Sequence, residues 1–161
     1  MTEAINRRQF AAVFALLPVL SLLDRARAEP ARKITVTKDP SCGCCGGWVR
    51  HLEAEGFAVE VTDSDAVNRV KARLGVPEHL AACHTAEIGG YVIEGHVPAA
   101  AIRRLLAQKP QTRGLAVPGM PVGSPGMEVE GSAPETYEVV SFGPSGDRVF
   151  ARFEGSRELP L

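Results

Sequence analysis

Apolar and polar residues alternate with period two over Lys33 to Thr37 (KITVT) and again over Phe57 to Asp63 (FAVEVTD), and β-branched residues dominate both runs, so both are predicted strands. Between them Cys45, Trp48, Val49 and Leu52 recur at the spacing of one helix face, and Gly56 is a natural stop. A second helix is predicted over SDAVNRVKARLG, opening at the cap-type residues Ser64 and Asp65 and ending at Gly75. CHTAEI and YVIEG flank the pair Gly89-Gly90, which supplies the positive φ of a tight turn, so they read as a hairpin. VPAAAIRRLLAQK reads as a further helix, with Pro98 in its first turn and Pro110 beyond its end. The order strand, helix, strand, helix, strand, strand, helix predicts an α/β domain of thioredoxin-like βαβαββα order, its first βαβ unit parallel.

Two segments fall outside that pattern. Arg113 to Glu128 (RGLAVPGMPVGSPGME) is rich in proline and glycine and is expected to be neither helix nor central strand, while TYEVVSF and DRVFARF around a Gly-Pro-Ser-Gly turn read as a β-hairpin. The chain therefore carries a Pro/Gly loop and hairpin as a C-terminal extension. At the other end a basic leader (MTEAINRRQF), an apolar run from Ala11 to Leu23 broken by Pro18, and the small-x-small site Ala26-Arg27-Ala28 read as a cleaved export signal over residues 1–28. The run is short of the roughly 20 apolar residues a membrane helix needs. Arg7-Arg8, with Arg25 and Arg27 beside the cleavage site, resembles a twin-arginine signal. Residues 29–161 are then a single exported, periplasmic domain with no membrane attachment after cleavage.

The 161 residues carry a net charge of −1, and no basic block interleaved with aromatics appears, which argues against a nucleic-acid partner. The chemistry lies in the cysteines. Three of the four, Cys42, Cys44 and Cys45, fall where the first strand meets the first helix, at the carboxyl end of that strand, where open α/β sheets place their sites. In the predicted order the hairpin's first strand runs antiparallel to strand one and begins at the same end, so Cys83 and His84 face the 42–45 loop. His96 follows the second hairpin strand back to that end.

Thiolate and thioether are soft ligands suited to Cu(I), zinc or iron-sulfur, and imidazole accepts copper and zinc. A helix N-terminus lowers thiol pKa values, so Cys45 and Cys44 are expected to be partly thiolate. Three sulfurs within four residues can each bridge two metals, which suits a multinuclear site, whereas structural zinc more naturally takes two separated pairs. Met120 and Met127 stand in the Pro/Gly loop with no periodic apolar face to join, which makes them candidate outer ligands. His51 lies about 9 Å along the helix from Cys45 and is expected at the surface, as is His79. Trp48 is expected in the core, shielding the cluster, and Tyr91 and Tyr137 are strand residues.

Other readings of the cysteines stand beside this one. Cys42 and Cys45 form a C-x-x-C suited to thiol-disulfide exchange, although Cys44 and Cys83 would short-circuit a clean two-thiol couple. A purely structural bridge inside 42–45 closes a tiny loop and adds little stability, and a Cys44–Cys45 bond is strained because adjacent Cα atoms lie only about 3.8 Å apart. A ferredoxin-like iron-sulfur site has enough cysteines but an unfamiliar spacing.

CGCC, CHTA, GYVIEGHVPA and GLAVPGMPVGSPGME, in this order behind an export signal, resemble the CopG-type copper-resistance proteins. The resemblance spans most of residues 33–130. It implies a thioredoxin-like periplasmic domain that binds a cysteine-bridged copper cluster, with a redox role toward copper. Carried onto this chain, the expected ligands are Cys42, Cys44, Cys45, Cys83 and His84, with His96, Met120 and Met127 as further candidates. The expected partners are copper ions and other periplasmic copper-handling proteins.

Overall fold

A computed structural model describes residues 32–161, so the export signal read over residues 1–28 lies outside the described residues. The elements are β1 (Lys33–Lys38), α1 (Gly43–Ala54), β2 (Ala58–Asp63), α2 (Val67–Leu74), a 3-10 turn at Glu78–Leu80, β3 (His84–Ile88), β4 (Tyr91–Glu94), α3 (Ala99–Gln108), β5 (Gly114–Ala116), β6 (Thr136–Phe142), β7 (Arg148–Glu154) and β8 (Arg157–Leu159). All the strands join one sheet in the order β2-β1-β3-β4-β5-β6-β7-β8. The class is mixed α/β, as the alternating periods predict.

Strand alternation decides what covers each face. Ile34, Val36, Ile93, Leu115 and Val139 point to one side, where they pack with Trp48 and Leu52 of α1 and with Ile102 and Leu105 of α3. Their neighbours Val92, Ala116 and Phe142 point to the other side, against Leu74 of α2 and Leu80. The sheet is therefore the middle of three layers, buried on both faces through β4 and β5.

Pairing directions gather the chain's turning points at one end. β1 pairs parallel with β2 and antiparallel with β3, with Lys38 opposite His84, so the exit of β1 adjoins the entry of β3. β3 and β4 are antiparallel, and β4 and β5 parallel, with Glu94 opposite both Thr85 and Ala116. The β1–α1 loop, the start of β3 and the exits of β4 and β5 thus share one edge of the sheet.

Four local expectations change. Part of the Pro/Gly stretch, expected to hold no central strand, forms β5 between β4 and β6. Three residues are too few for a period to register, and glycine is required there: a Cβ on Gly114 would sit 1.9 Å from the Val92 carbonyl oxygen. Helix α1 starts at Gly43, with Cys42 as its cap, and so includes Cys44. Helix α2 starts at Val67, because the Ser64 hydroxyl accepts the Ala66 N–H at 3.1 Å and holds 64–66 as a turn. β2 is a sheet edge and largely exposed despite its alternation.

The Pro/Gly strap beyond β5 lies directly on α1. A Cβ on Gly126, whose φ is +85°, would fall 2.4 Å from the Trp48 amide nitrogen, and one on Gly47 would fall 2.7 Å from the Gly126 Cα. Two backbones touch where side chains would separate them. Gly126→Ala combines a left-handed backbone with overpacking, and is expected to cost about 3 kcal/mol in urea unfolding.

His51, expected at the surface, is half-buried, and its Nε2 accepts the Ala99 N–H at 3.1 Å. Pro98 offers no side-chain cap to α3, so the imidazole of α1 satisfies that orphan donor. Burial holds the His51 pKa below its ordinary 6.5, against the opposing pull of the Glu55 and Glu128 carboxylates, with Arg103 adding to the depression. A depressed folded-state value means that the contribution to stability is complete above pH 6.5 and is lost as pH falls through the folded value. His51→Ala should therefore lose about 1 kcal/mol at pH 7.5, and less at pH 5.5, in urea unfolding at the two pH values.

Candidate metal centre

The loop Asp39-Pro40-Ser41 turns the chain from β1 into α1. The Asp39 carboxylate accepts the Ser41 N–H at 2.8 Å, and the Asp39 carbonyl accepts the Cys42 N–H at 3.0 Å. Cys42 therefore caps the helix, and Cys44 and Cys45 occupy its first turn. Cys42 and Cys45 are joined as a disulfide, with Cα atoms 5.6 Å apart, while Cys44 and Cys83 are free. Joined in this way, Cys42 and Cys45 are not the thiolates expected from the sequence, and only reduction would free their sulfurs to bind a metal. The C-x-x-C spacing made that pairing available.

The four sulfurs converge, as the strand order requires. Cys44 Sγ lies 3.6 Å from Cys42 Sγ and 3.9 Å from Cys83 Sγ, and all four sulfurs stand within 4.8 Å of one another. Cys83 belongs to a second group as well: its Sγ is 3.4 Å from His84 Nδ1 and 3.4 Å from His96 Nε2. One sulfur is thus shared between a sulfur group and an imidazole pair.

Both imidazoles are fully buried. His96 Nδ1 lies 2.8 Å from the Pro125 carbonyl oxygen, which can only accept, so Nδ1 carries the proton and the Nε2 lone pair is directed at Cys83. Such an outer carbonyl is what orients a ligating histidine. The strap's packing on α1 puts Pro125 there. His84 packs against Trp48 with ring centroids 4.3 Å apart and ring planes tilted by 36°, and its Nε2 has no hydrogen-bond partner among the described residues. Trp48 itself is held by its Nε1–H, which donates to the Val97 carbonyl at 2.9 Å.

Burial sets the charge state. It pushes the Cys83 thiol up to about 12, reinforced by the neighbouring Cys44, and brings His84 down to about 3, with His96 and the Lys71 charge acting in the same sense. His96 is depressed by burial, against the pull of the Pro125 hydrogen bond and the Glu128 carboxylate. The pocket without a cation is therefore neutral: thiol, imidazole, imidazole. A soft cation supplies the charge that lets the thiol ionise, and sulfur with neutral imidazole is a donor set suited to copper or zinc.

The other sequence candidates are placed differently. Met127 is half-buried next to Gly126, which abuts the Cys44 carbonyl, whereas Met120 is 54% exposed. His79, four residues before Cys83, is exposed and pairs with Asp147 at 2.7 Å. Lys71 and Glu94 form a buried ion pair beside Cys83 that the sequence reading missed. A signal was present in that Lys71 falls at i+4 from Val67 on the buried face of α2.

Among known proteins, a family model described as a protein of unknown function, DUF411, matches residues 80–127, which include Cys83, His84, His96, Met120 and Met127 but not the 42–45 cluster. No curated protein matches. Two solved structures are similar: copper resistance protein CopG, form 1, at 47% identity and a TM-score of 0.72, covering 79% of this chain and 100% of that one, and form 2 of the same name, at 44% identity and a TM-score of 0.70, covering 81% and 99%. With the family motifs and nearly the whole length of both solved chains shared, this protein belongs to the CopG family of copper resistance proteins.

Proposed function

We propose that the protein is a periplasmic copper-binding protein of copper resistance that holds more than one Cu(I) ion through Cys42, Cys44, Cys45 and Cys83, with His84 and His96 as nitrogen ligands. The observation that carries this reading is the position of Cys83 Sγ, 3.9 Å from Cys44 Sγ and 3.4 Å from a nitrogen of each imidazole, which suits a sulfur bridging two ions. Met127, and Met120 from the solvent side, serve as outer, exchangeable thioethers. Export follows from residues 1–28, by the twin-arginine route, leaving residues 29–161 as one thioredoxin-like domain that exchanges copper ions with other periplasmic copper-handling proteins.

A redox role is part of the reading. The Cys42–Cys45 disulfide accepts two electrons and two protons to become two thiols, and oxidation of two Cu(I) ions to Cu(II) releases two electrons. The same four sulfurs then alternate between a two-thiol and a four-thiol ligand set. Reduced protein is expected to bind more than one Cu(I) per chain in competition with a Cu(I) chelator. A stoichiometry of one or none would overturn the multinuclear site.

The disulfide at the start of α1 also favours a second reading, thiol-disulfide exchange through Cys42 and Cys45. Cys44 separates the two. An exchange enzyme should keep its reductase activity within about tenfold in Cys44→Ser, since a tenfold change in the two-electron equilibrium needs only about 30 mV. A copper site loses a soft bridging ligand, and serine is a hard, protonated substitute. The expected outcome is loss of most Cu(I) binding in Cys44→Ser and little or no insulin reduction by the wild type. Strong reductase activity retained by the variant would select the enzyme.

A further inference from the structure

The buried pair of Lys71 and Glu94 is not explained by stability. Lys71 is 4% exposed and Glu94 0%, and removing two opposite charges from water costs about as much as their attraction returns, so apolar replacements of such pairs are often neutral or stabilising. The geometry around Glu94 is more specific than charge neutralisation requires. Its Oε1 accepts both from Lys71 Nζ and, at 2.7 Å, from the Ala82 backbone N–H, while Oε2 has no partner among the described residues. The one oxygen that meets the ammonium is thus also the one that holds the residue before Cys83.

Two further contacts pin the same segment to the end of β4. The Gly95 N–H donates to the His84 carbonyl at 3.2 Å, and Gly95 lies so close to Ala82 that a Cβ there would sit 2.8 Å from the alanine Cβ. Cys83 is therefore tied down on both sides, by Glu94 through Ala82 and by Gly95 through His84. The residue after Gly95 is His96, so the element that anchors the sulfur also carries a nitrogen facing it.

Resting on the copper reading above, we propose that Glu94, with Lys71 as its counter-ion, is a positioning residue that fixes Cys83 Sγ against Cys44 and His96 for metal capture. Lys71 reaches this place from α2, on the sheet face opposite α1, so all three layers of the fold bear on one sulfur. Outer-shell groups of this kind typically change metal affinity 10–100-fold when removed.

The test compares two charge-neutral double variants of the full chain, reduced and loaded with Cu(I). Lys71→Met with Glu94→Leu removes the pair and the acceptor for Ala82. Lys71→Met with Glu94→Gln removes the charges but keeps an oxygen for that amide. The first is expected to stay folded, to exchange the Ala82 amide hydrogen at least about tenfold faster than wild type, and to lose about tenfold or more in Cu(I) affinity. The second is expected to retain amide protection and to bind Cu(I) within about threefold of wild type. Adding Cys83→Ser to the first should cost little further affinity, because the two changes disable the same ligand.

A Glu94→Leu double variant with unchanged Ala82 exchange, or with faster exchange and unchanged Cu(I) affinity, overturns the proposal, as does additivity with Cys83→Ser. If the Leu variant fails to fold, the Gln variant decides: a tenfold loss of affinity with the Ala82 amide still protected overturns the positioning role. Failure of the wild type itself to take up Cu(I) overturns the copper reading and this role with it, and is distinguished because no variant is involved.

Discussion

The antiparallel ladder between β1 and β3 runs from Thr35 opposite Glu87 to Lys38 opposite His84, and the chemistry depends on its direction and register. It makes the residue before β3 a neighbour of the loop after β1, so Cys83 meets cysteines almost forty positions away. A one-residue slip would turn the side chains of β3 to the opposite faces of the sheet, exchanging the surroundings of His84 and Thr85. Core packing holds the register: Val36 and Ala86 lie opposite each other in the ladder and are buried in the same apolar cluster, alongside Trp48.

Burial then makes the site conditional. A thiol pushed up to about 12 and an imidazole brought down to about 3 describe a pocket that disfavours charge of its own. Introducing a cation reverses the balance, because its field stabilises the thiolate that desolvation opposes. The His96 imidazole needs no such reversal, because its Nδ1–H is taken by the Pro125 carbonyl and its Nε2 lone pair already faces Cys83. His96 is oriented by a carbonyl from the Pro/Gly strap, and the strap is held by glycine backbone against the first turns of α1. The C-terminal extension is therefore part of the site's construction.

The disulfide divides the four sulfurs of that construction. With Cys42 and Cys45 joined, the free sulfurs are Cys44 and Cys83, one from each segment that the ladder brings together. Reduction adds two more sulfurs within the same 4.8 Å span. Family membership ties the motifs to copper resistance proteins, and the geometry gives those motifs a physical reason to occur together.

Much of this was legible in the residue pattern. Period-two runs, a helix-spaced face behind CGCC and a Gly-Gly turn determined the α/β order, and that order, read as a thioredoxin-like arrangement, put Cys83, His84 and His96 beside the cysteine loop. Strand direction is a property of topology, which the succession of elements suggests and the ladder between β1 and β3 decides. Contacts that depend on where two distant surfaces meet were not legible: the His51 cap on α3, the Gly47–Gly126 contact, the central strand β5, and the Lys71–Glu94 pair beneath Cys83. A lysine in a helix reads as solvated until a sheet buries it. Local periodicity records which side of an element is apolar, and only the packed tertiary structure decides which polar atoms that side encloses and what they hold in place.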